Sequence, residues 1–129
     1  MNSNIRTFED LIIWQKAIAF VNQIYLITEE GGLKRDFGLK DQLRPAAVSI
    51  PTNIAEGFER SSRKEYLLFL NIAKGSAGEV RSLCRVALDV GYLKPSTYDE
   101  LRENALIISR SLFNQMESIK RAAPRFQTK

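Results

Sequence analysis

The sequence predicts an all-α protein, an antiparallel up-down-up-down four-helix bundle. Three observations carry that expectation. Apolar residues recur at spacings of three and four through long segments, which is the period of a helix and not of a strand. Only 7 glycines and 4 prolines are present, and most of them punctuate those segments. No Asn-Gly hairpin signal and no alternating strand pattern occurs anywhere in the chain.

The first segment begins near Thr7. Thr7 and Asp10 form a capping-box-like pair with a carboxylate in the first turn. Leu11, Trp14, Ile18, Val21 and Tyr25 then follow the helical period, and so do Ile13, Ala17, Phe20, Ile24 and Ile27. Two such sets make an apolar face broader than one neighbouring helix requires. The run Thr28-Glu29-Glu30-Gly31-Gly32 ends the segment.

The second segment runs from near Asp36 to about Phe58 and contains Pro45 and Pro51. Each proline removes a backbone donor and crowds the carbonyl four residues earlier, which predicts a kink. The alternative is a break, with a separate helix opening at Pro45 as its first residue. Gly57 and the polar run Glu59-Arg60-Ser61-Ser62 form the next turn.

The third and longest segment extends from about Ser62 to Val90, opened by a Ser62/Glu65 capping box. Phe69, Ala73, Ser76, Val80, Leu83, Ala87 and Val90 form a heptad-like seam. Gly75, Ala77 and Gly78 stand in its middle. A glycine costs a helix roughly 1 kcal/mol against alanine, so two of them predict the close approach of another helix. Gly91 ends the segment in the C′ position.

Lys94-Pro95-Ser96 leads into the fourth segment, which Thr97 and Glu100 cap. Its inner face is Leu101, Ala105, Ile108, Leu112, Gln115 and Ile119. Pro124 ends it and leaves a short basic tail from Arg125 to Lys129. Connections of a few residues make neighbouring helices antiparallel. The expectation is one domain over 1–129, with its core at about 8–122 between a polar N-terminal and a basic C-terminal tail.

Composition narrows the function. The 129 residues carry a net charge of +4, with 44% apolar and 26% charged side chains, as in an ordinary soluble domain. Every apolar run falls short of the roughly 20 residues that span a membrane. The polar N-terminus lacks a secretory apolar stretch, so a cytoplasmic protein with no membrane partner is expected. There is no histidine. Ser-His-Asp and Cys-His catalysis are therefore excluded, as are Glu-x-x-His di-iron sites. The lone Cys84 cannot build a zinc site or an internal disulfide and is expected to pack as a small apolar residue. No enzymatic activity, catalytic residue, metal or cofactor is expected.

The polar residues fall into stripes. Arg63, Lys74, Arg81 and Arg85 lie within about 40° of one another around the third helix. Arg81 and Arg85, four residues apart, repel. A phosphate would relieve that repulsion, as would a carboxylate such as Glu100, Glu103 or Glu117 from another helix, or plain solvation. Arg60 joins Arg63 and Lys64 at one turn. Lys34, Arg35, Lys40 and Arg44 flank the second helix's entry, at the opposite end of an antiparallel bundle. Gln42, Ser49, Asn53, Glu56 and Arg60 share one face of the second helix. They read either as a binding stripe or as side chains satisfying carbonyls freed by Pro45 and Pro51. Trp14 and Tyr25, at helical spacing, read as packing anchors.

Three stretches carry a family resemblance: FEDLIIWQKA at 8–17, QLRPAAVSIPTNIAEG at 42–57 and FLNIAKGSAGE at 69–79. Together they resemble the bacterial four-helix bundle family encoded in intervening sequences of 23S ribosomal RNA genes, whose members are often labelled ribosomal proteins. The similarity runs from about Phe8 to Ile119. It implies a left-handed four-helix bundle, a homopentamer, and kinship with accessory proteins of diversity-generating retroelements. Those relatives form a basic barrel that binds nucleic acid and a reverse transcriptase. The family as a whole has no established enzymatic activity. One departure stands out, since Pro45 follows Arg44 where the family commonly has a second arginine.

The resulting expectation is a non-enzymatic oligomeric bundle that binds RNA through its backbone or serves as a ribonucleoprotein accessory. Arg44, Arg60, Arg63, Lys74, Arg81 and Arg85 are its candidate nucleic-acid contacts. Its expected partners are copies of itself, RNA or another nucleic acid, and a partner protein. The alternative is a protein–protein interaction scaffold that never touches nucleic acid.

Overall fold

The computed structural model describes residues 4–122. It is an all-helical bundle, with no strand among the described residues. A 3₁₀ turn, Phe8–Asp10, precedes five helices: α1 (Ile12–Ile27), α2 (Gly31–Arg35), α3 (Phe37–Glu59), α4 (Arg63–Asp89) and α5 (Pro95–Arg121). The four long helices close a ring in which α3 packs on α4, α4 on α5, and α1 on both α3 and α5. Along α3 and α4 the partners run in opposite order: Phe58 meets Tyr66, Ser49 meets Ser76, and Asp36 meets Tyr92. Ile24, Leu43, Ile50, Leu70, Leu101 and Leu112 are among the side chains fully enclosed by the ring. No helix among the described residues is long and apolar enough to cross a membrane.

The first helix starts later than its cap suggests. The Asp10 carboxylate accepts hydrogen bonds from the backbone N–H groups of Arg6 (2.8 Å) and Thr7 (3.1 Å). Those two donors hold Asp10 below the usual carboxylate range. They cap the 3₁₀ turn rather than α1, because Leu11 is extended and breaks the winding. The two apolar sets then divide their labour. Ile13, Ala17, Phe20 and Ile24 are buried in the core, while Trp14, Ile18 and Val21 line a groove against α3. A face broad enough for two neighbours is thereby explained. Trp14 packs edge-on against Phe8, whereas Tyr25 is exposed and serves Arg44 instead.

The segment ends as expected, but the glycines open a further helix that sequence periodicity does not reveal. Gly31 has φ +55°, a conformation that costs glycine nothing. The chain then winds into α2, whose Leu33 plugs the core. Five residues are too few to display a period.

Asp36 caps α3 by accepting from the Leu39 N–H at 3.0 Å. The helix is continuous through Pro45 and Pro51, so the expected alternative, a break at Pro45, does not occur. Four residues of the polar stripe, Ser49, Asn53, Glu56 and Arg60, are partnered within the chain, and Gln42 is exposed. Asn53 Nδ2 donates to the Ser49 carbonyl (2.8 Å) and to Ser49 Oγ (2.9 Å), and the Ser49 and Ser76 hydroxyls pair at 2.9 Å. Asn53 therefore does not serve the Asp41 or Ala47 carbonyl, the two that the prolines release.

Two glycine expectations are corrected. Gly57 belongs to α3 and not to the turn. A Cβ there would stand 2.9 Å from Phe69 Cβ, so this glycine sets the close approach of α3 to α4. Gly75 and Gly78 have no described atom within 4 Å of such a Cβ, so no described helix packs closely on them.

In α4 the seam residues Ala73, Ser76, Val80 and Ala87 are buried, but Val90 is 56% exposed. The buried stripe is itself a heptad, Tyr66, Leu70, Ala73, Ala77, Val80, Cys84 and Ala87; the expected seam shares Ala73, Val80 and Ala87 with it but takes Phe69, Leu83 and Val90 on the other flank, away from the core. The α5 face behaves likewise, with Met116 buried where Gln115 was expected. Gly91, at φ +87°, completes a Schellman cap in which the Tyr92 N–H reaches the Ala87 carbonyl at 2.8 Å. Helix α5 opens at Pro95, two residues before the expected Thr97 cap. Pro124 and the basic residues 125–129 lie outside the described residues.

Cys84 is enclosed, and burial pushes its thiol up to about 12. The folded protein should therefore react with a thiol-modifying reagent at pH 8 at least about 100-fold more slowly than the denatured chain, because the thiolate is the reactive form. Comparing labelling rates with and without denaturant checks this.

Candidate nucleic-acid interface

The cationic stripe of α4 lies toward α5. Arg63 Nη2 donates to the Ala122 carbonyl at 2.7 Å, which places positive charge at the C-terminal end of α5. Lys74 stands beside Phe113 midway along the seam. Arg85 Nε donates to Asp89 Oδ1 at 2.9 Å, and its guanidinium also reaches Tyr98 on α5. Arg81 lies on the same flank, between Lys74 and Arg85.

Of the α5 carboxylates expected as partners, Glu103 and Glu117 are engaged elsewhere, and Glu100 makes no ion pair with a described residue. Glu103 holds Arg110 at 3.3 Å, and Glu117 holds Lys120 at 3.3 Å. Arg85 alone on the stripe has an acidic partner, on its own helix. Lys74 and Arg81, both half-buried, make no hydrogen bond or ion pair with any described residue.

Arg44 and Arg60 are placed differently. Arg44 Nε donates to Thr28 Oγ1 at 2.9 Å, Nη2 bonds the Glu29 carboxylate, and the guanidinium lies 4.3 Å from the Tyr25 ring centre. This clamp ties α3 to the end of α1 and holds the Glu29 carboxyl below its usual range. Arg60 pairs with Glu56 at 2.6 Å and Glu65 at 4.0 Å and covers the Phe69 ring. The structure thus brings Arg63, Lys74, Arg81 and Arg85 to one edge, and leaves Arg44 and Arg60 as internal clamps away from it.

Sequence reasoning missed the α5 half of this edge. Two hollows, of about 400 and 290 Å³, adjoin along the α4–α5 seam. Lys74 and Phe113 line both of them. Lys120 borders the first and Arg110 the second. The signal was available: Arg110, Phe113 and Lys120 fall off the inner face of the fourth segment, where only the apolar positions were followed. A third groove of about 480 Å³, between α1 and α3, is lined by Trp14, Val21, Pro51 and Ala55 and carries Glu56 and Glu59. Its acidic residues make it a poor receptor for phosphate. No group of His, Cys, Asp and Glu among the described residues is arranged to hold a metal ion.

The family model described as 23S rRNA-intervening sequence protein matches residues 9–114. Among solved structures, the chain is similar to a protein of unknown function from the S23 ribosomal protein family of Bacteroides thetaiotaomicron VPI-5482. The two share 21% identity over 82% of this chain and 99% of that one, with a TM-score of 0.76. That likeness establishes the fold. No curated protein matches.

Proposed function

The chain belongs to the 23S rRNA-intervening sequence protein family, and from its α4 edge we propose that it is a non-enzymatic accessory protein that grips the phosphate backbone of RNA. One observation carries the reading: Lys74 and Arg81 are held half-buried on a cationic stripe with no described carboxylate to neutralise them. An isolated excess of charge on a rigid helix is a standing site for anions. Nothing along the edge offers a recognition helix for a groove, so binding follows charge and not sequence.

Salt dependence tests this. Fluorescently labelled single-stranded RNA, structured RNA and duplex DNA are titrated at 50 and 200 mM salt. Four phosphate contacts on a single strand predict about 50-fold weaker binding at the higher salt. Absence of binding at 50 mM overturns the reading.

The outer face of α4 supports self-association and also favours a second reading. Ile72, Val86 and Val90 are exposed on one stripe, about 150° around the helix from Lys74. Copies joined through that stripe, as in the homopentamer the resemblance implies, would gather their cationic edges into one belt. The same stripe suits a protein scaffold that binds no nucleic acid, and the titration separates the two. A single-copy mass by light scattering at micromolar concentration removes the assembly.

A further inference from the structure

We propose that the α4–α5 groove takes unpaired RNA, with a base stacked on Phe113 and the flanking phosphates on Lys74, Arg110 and Lys120. The inference rests on the phosphate reading above and names the form of nucleic acid that this edge selects. Phe113 is 50% exposed, an unusual setting for a phenyl ring in a helix whose inner face is otherwise filled. It stands with Lys74 between two shallow adjoining hollows of about 400 and 290 Å³. Those volumes lie near the lower end of the range for small-ligand pockets. Cations border both hollows, with Lys120 on one side and Arg110 on the other, about 15 Å apart along the helix axis. Both are paired with carboxylates on their own helix, at 3.3 Å. Exposed pairs of that kind are weak and screened, so a phosphate competes for them.

An aromatic ring between cations is the arrangement that recognises a single strand. Successive bases stack on side chains while the backbone follows the positive charge. A duplex keeps its bases stacked on one another and offers only phosphate, so it gains from the lysines and arginines but not from the ring. The charge complementarity of the groove argues for RNA as occupant over a second copy of the chain.

The experiment uses the full chain, a labelled oligouridine strand and an RNA duplex of the same length. Phe113→Leu keeps an apolar side chain and removes the ring; Phe113→Trp keeps a stacking surface. The expected result is that Phe113→Leu weakens strand binding about 10-fold, within the range for loss of one base–aromatic stack. Duplex affinity, light-scattering mass and thermal midpoint stay unchanged, and Phe113→Trp binds the strand as well as the wild type. The inference is overturned if Phe113→Leu binds the strand like the wild type, or if the substitution changes the mass of the particle, which makes the ring a subunit contact. Equal binding of strand and duplex with no effect of Phe113→Leu removes this inference and leaves the phosphate grip standing. Failure of the wild type to bind either removes both.

Discussion

Replacing Gly57 by valine should destabilise the protein by about 2–3 kcal/mol, the upper part of the range for overpacking a close-packed interior. The buried α3–α4 crossing has no room for it. Even a first carbon at Gly57 would stand 2.9 Å from Phe69 Cβ, 3.0 Å from the Tyr66 ring and 3.2 Å from the Tyr66 carbonyl oxygen. Two of these neighbours are fixed by the α4 backbone, so relief requires the helices to part. A β-branched residue adds two methyl groups to that conflict and recovers only a few tenths of a kcal/mol in helix propensity over glycine. For a domain of this size the loss corresponds to a fall in Tm of about 10 °C. Gly75→Ala is the internal control. With open space around it, it should stabilise the helix by up to about 1 kcal/mol. Urea or thermal denaturation reads both, and a Gly57 variant as stable as the wild type would show that α3 and α4 can separate at no cost.

The double substitution Lys74→Ala with Arg81→Ala should cost RNA affinity far more at low salt than at high. Two lost phosphate contacts on a single strand reduce the logarithmic salt slope by about 1.4. Relative to molar salt, that is about 60-fold at 50 mM and about 10-fold at 200 mM. The same pair contributes little to the fold, because neither side chain bonds to a described residue. Arg44→Ala is the opposite case. It removes the clamp on Thr28, Glu29 and Tyr25, so it should lower the denaturation midpoint while leaving the salt slope intact. Fluorescence titration beside a melting curve distinguishes a cation that binds from one that braces. Loss of affinity without a change in slope in the double variant would place the phosphate contacts elsewhere.

The long helices were legible because their apolar period survives over twenty or more residues. The same reasoning read Ser62 and Gly91 correctly as caps, since each supplies a local bond or conformation that a helix end requires. It failed where tertiary packing decides. Gly57 looked like a turn residue, and only the proximity of α4 shows why a side chain is excluded. Gly75 and Gly78 looked like a crossing and face open space. Pro45 and Pro51 predicted a kink or, as the alternative, a break at Pro45, and the helix continues through both. The third-segment seam took Phe69, Leu83 and Val90 where the core takes Leu70 and Ala77 beside the correctly expected Ala73, Val80, Cys84 and Ala87, because apolar residues stand on both flanks and periodicity does not choose between them. At the site, helical angles placed Arg63, Lys74, Arg81 and Arg85 on one edge. They could not show that Arg44 and Arg60 were committed elsewhere, nor that Phe113 of a different segment would stand beside Lys74.

Most neighbours in the ring are also neighbours in the chain, joined by turns of a few residues. The exception is the seam between α1 and α5, where Asn104 Nδ2 donates to Gln23 Oε1 across 81 positions of sequence. Bringing distant parts of a polymer together costs entropy that short turns avoid. That cost is concentrated at this one juncture, while α1, α3, α4 and α5 each meet their next neighbour in the chain by folding back of adjacent segments. Only the junction between the first and last helices asks distant parts of the chain to meet, so it alone carries the loop-closure cost that the short turns avoid.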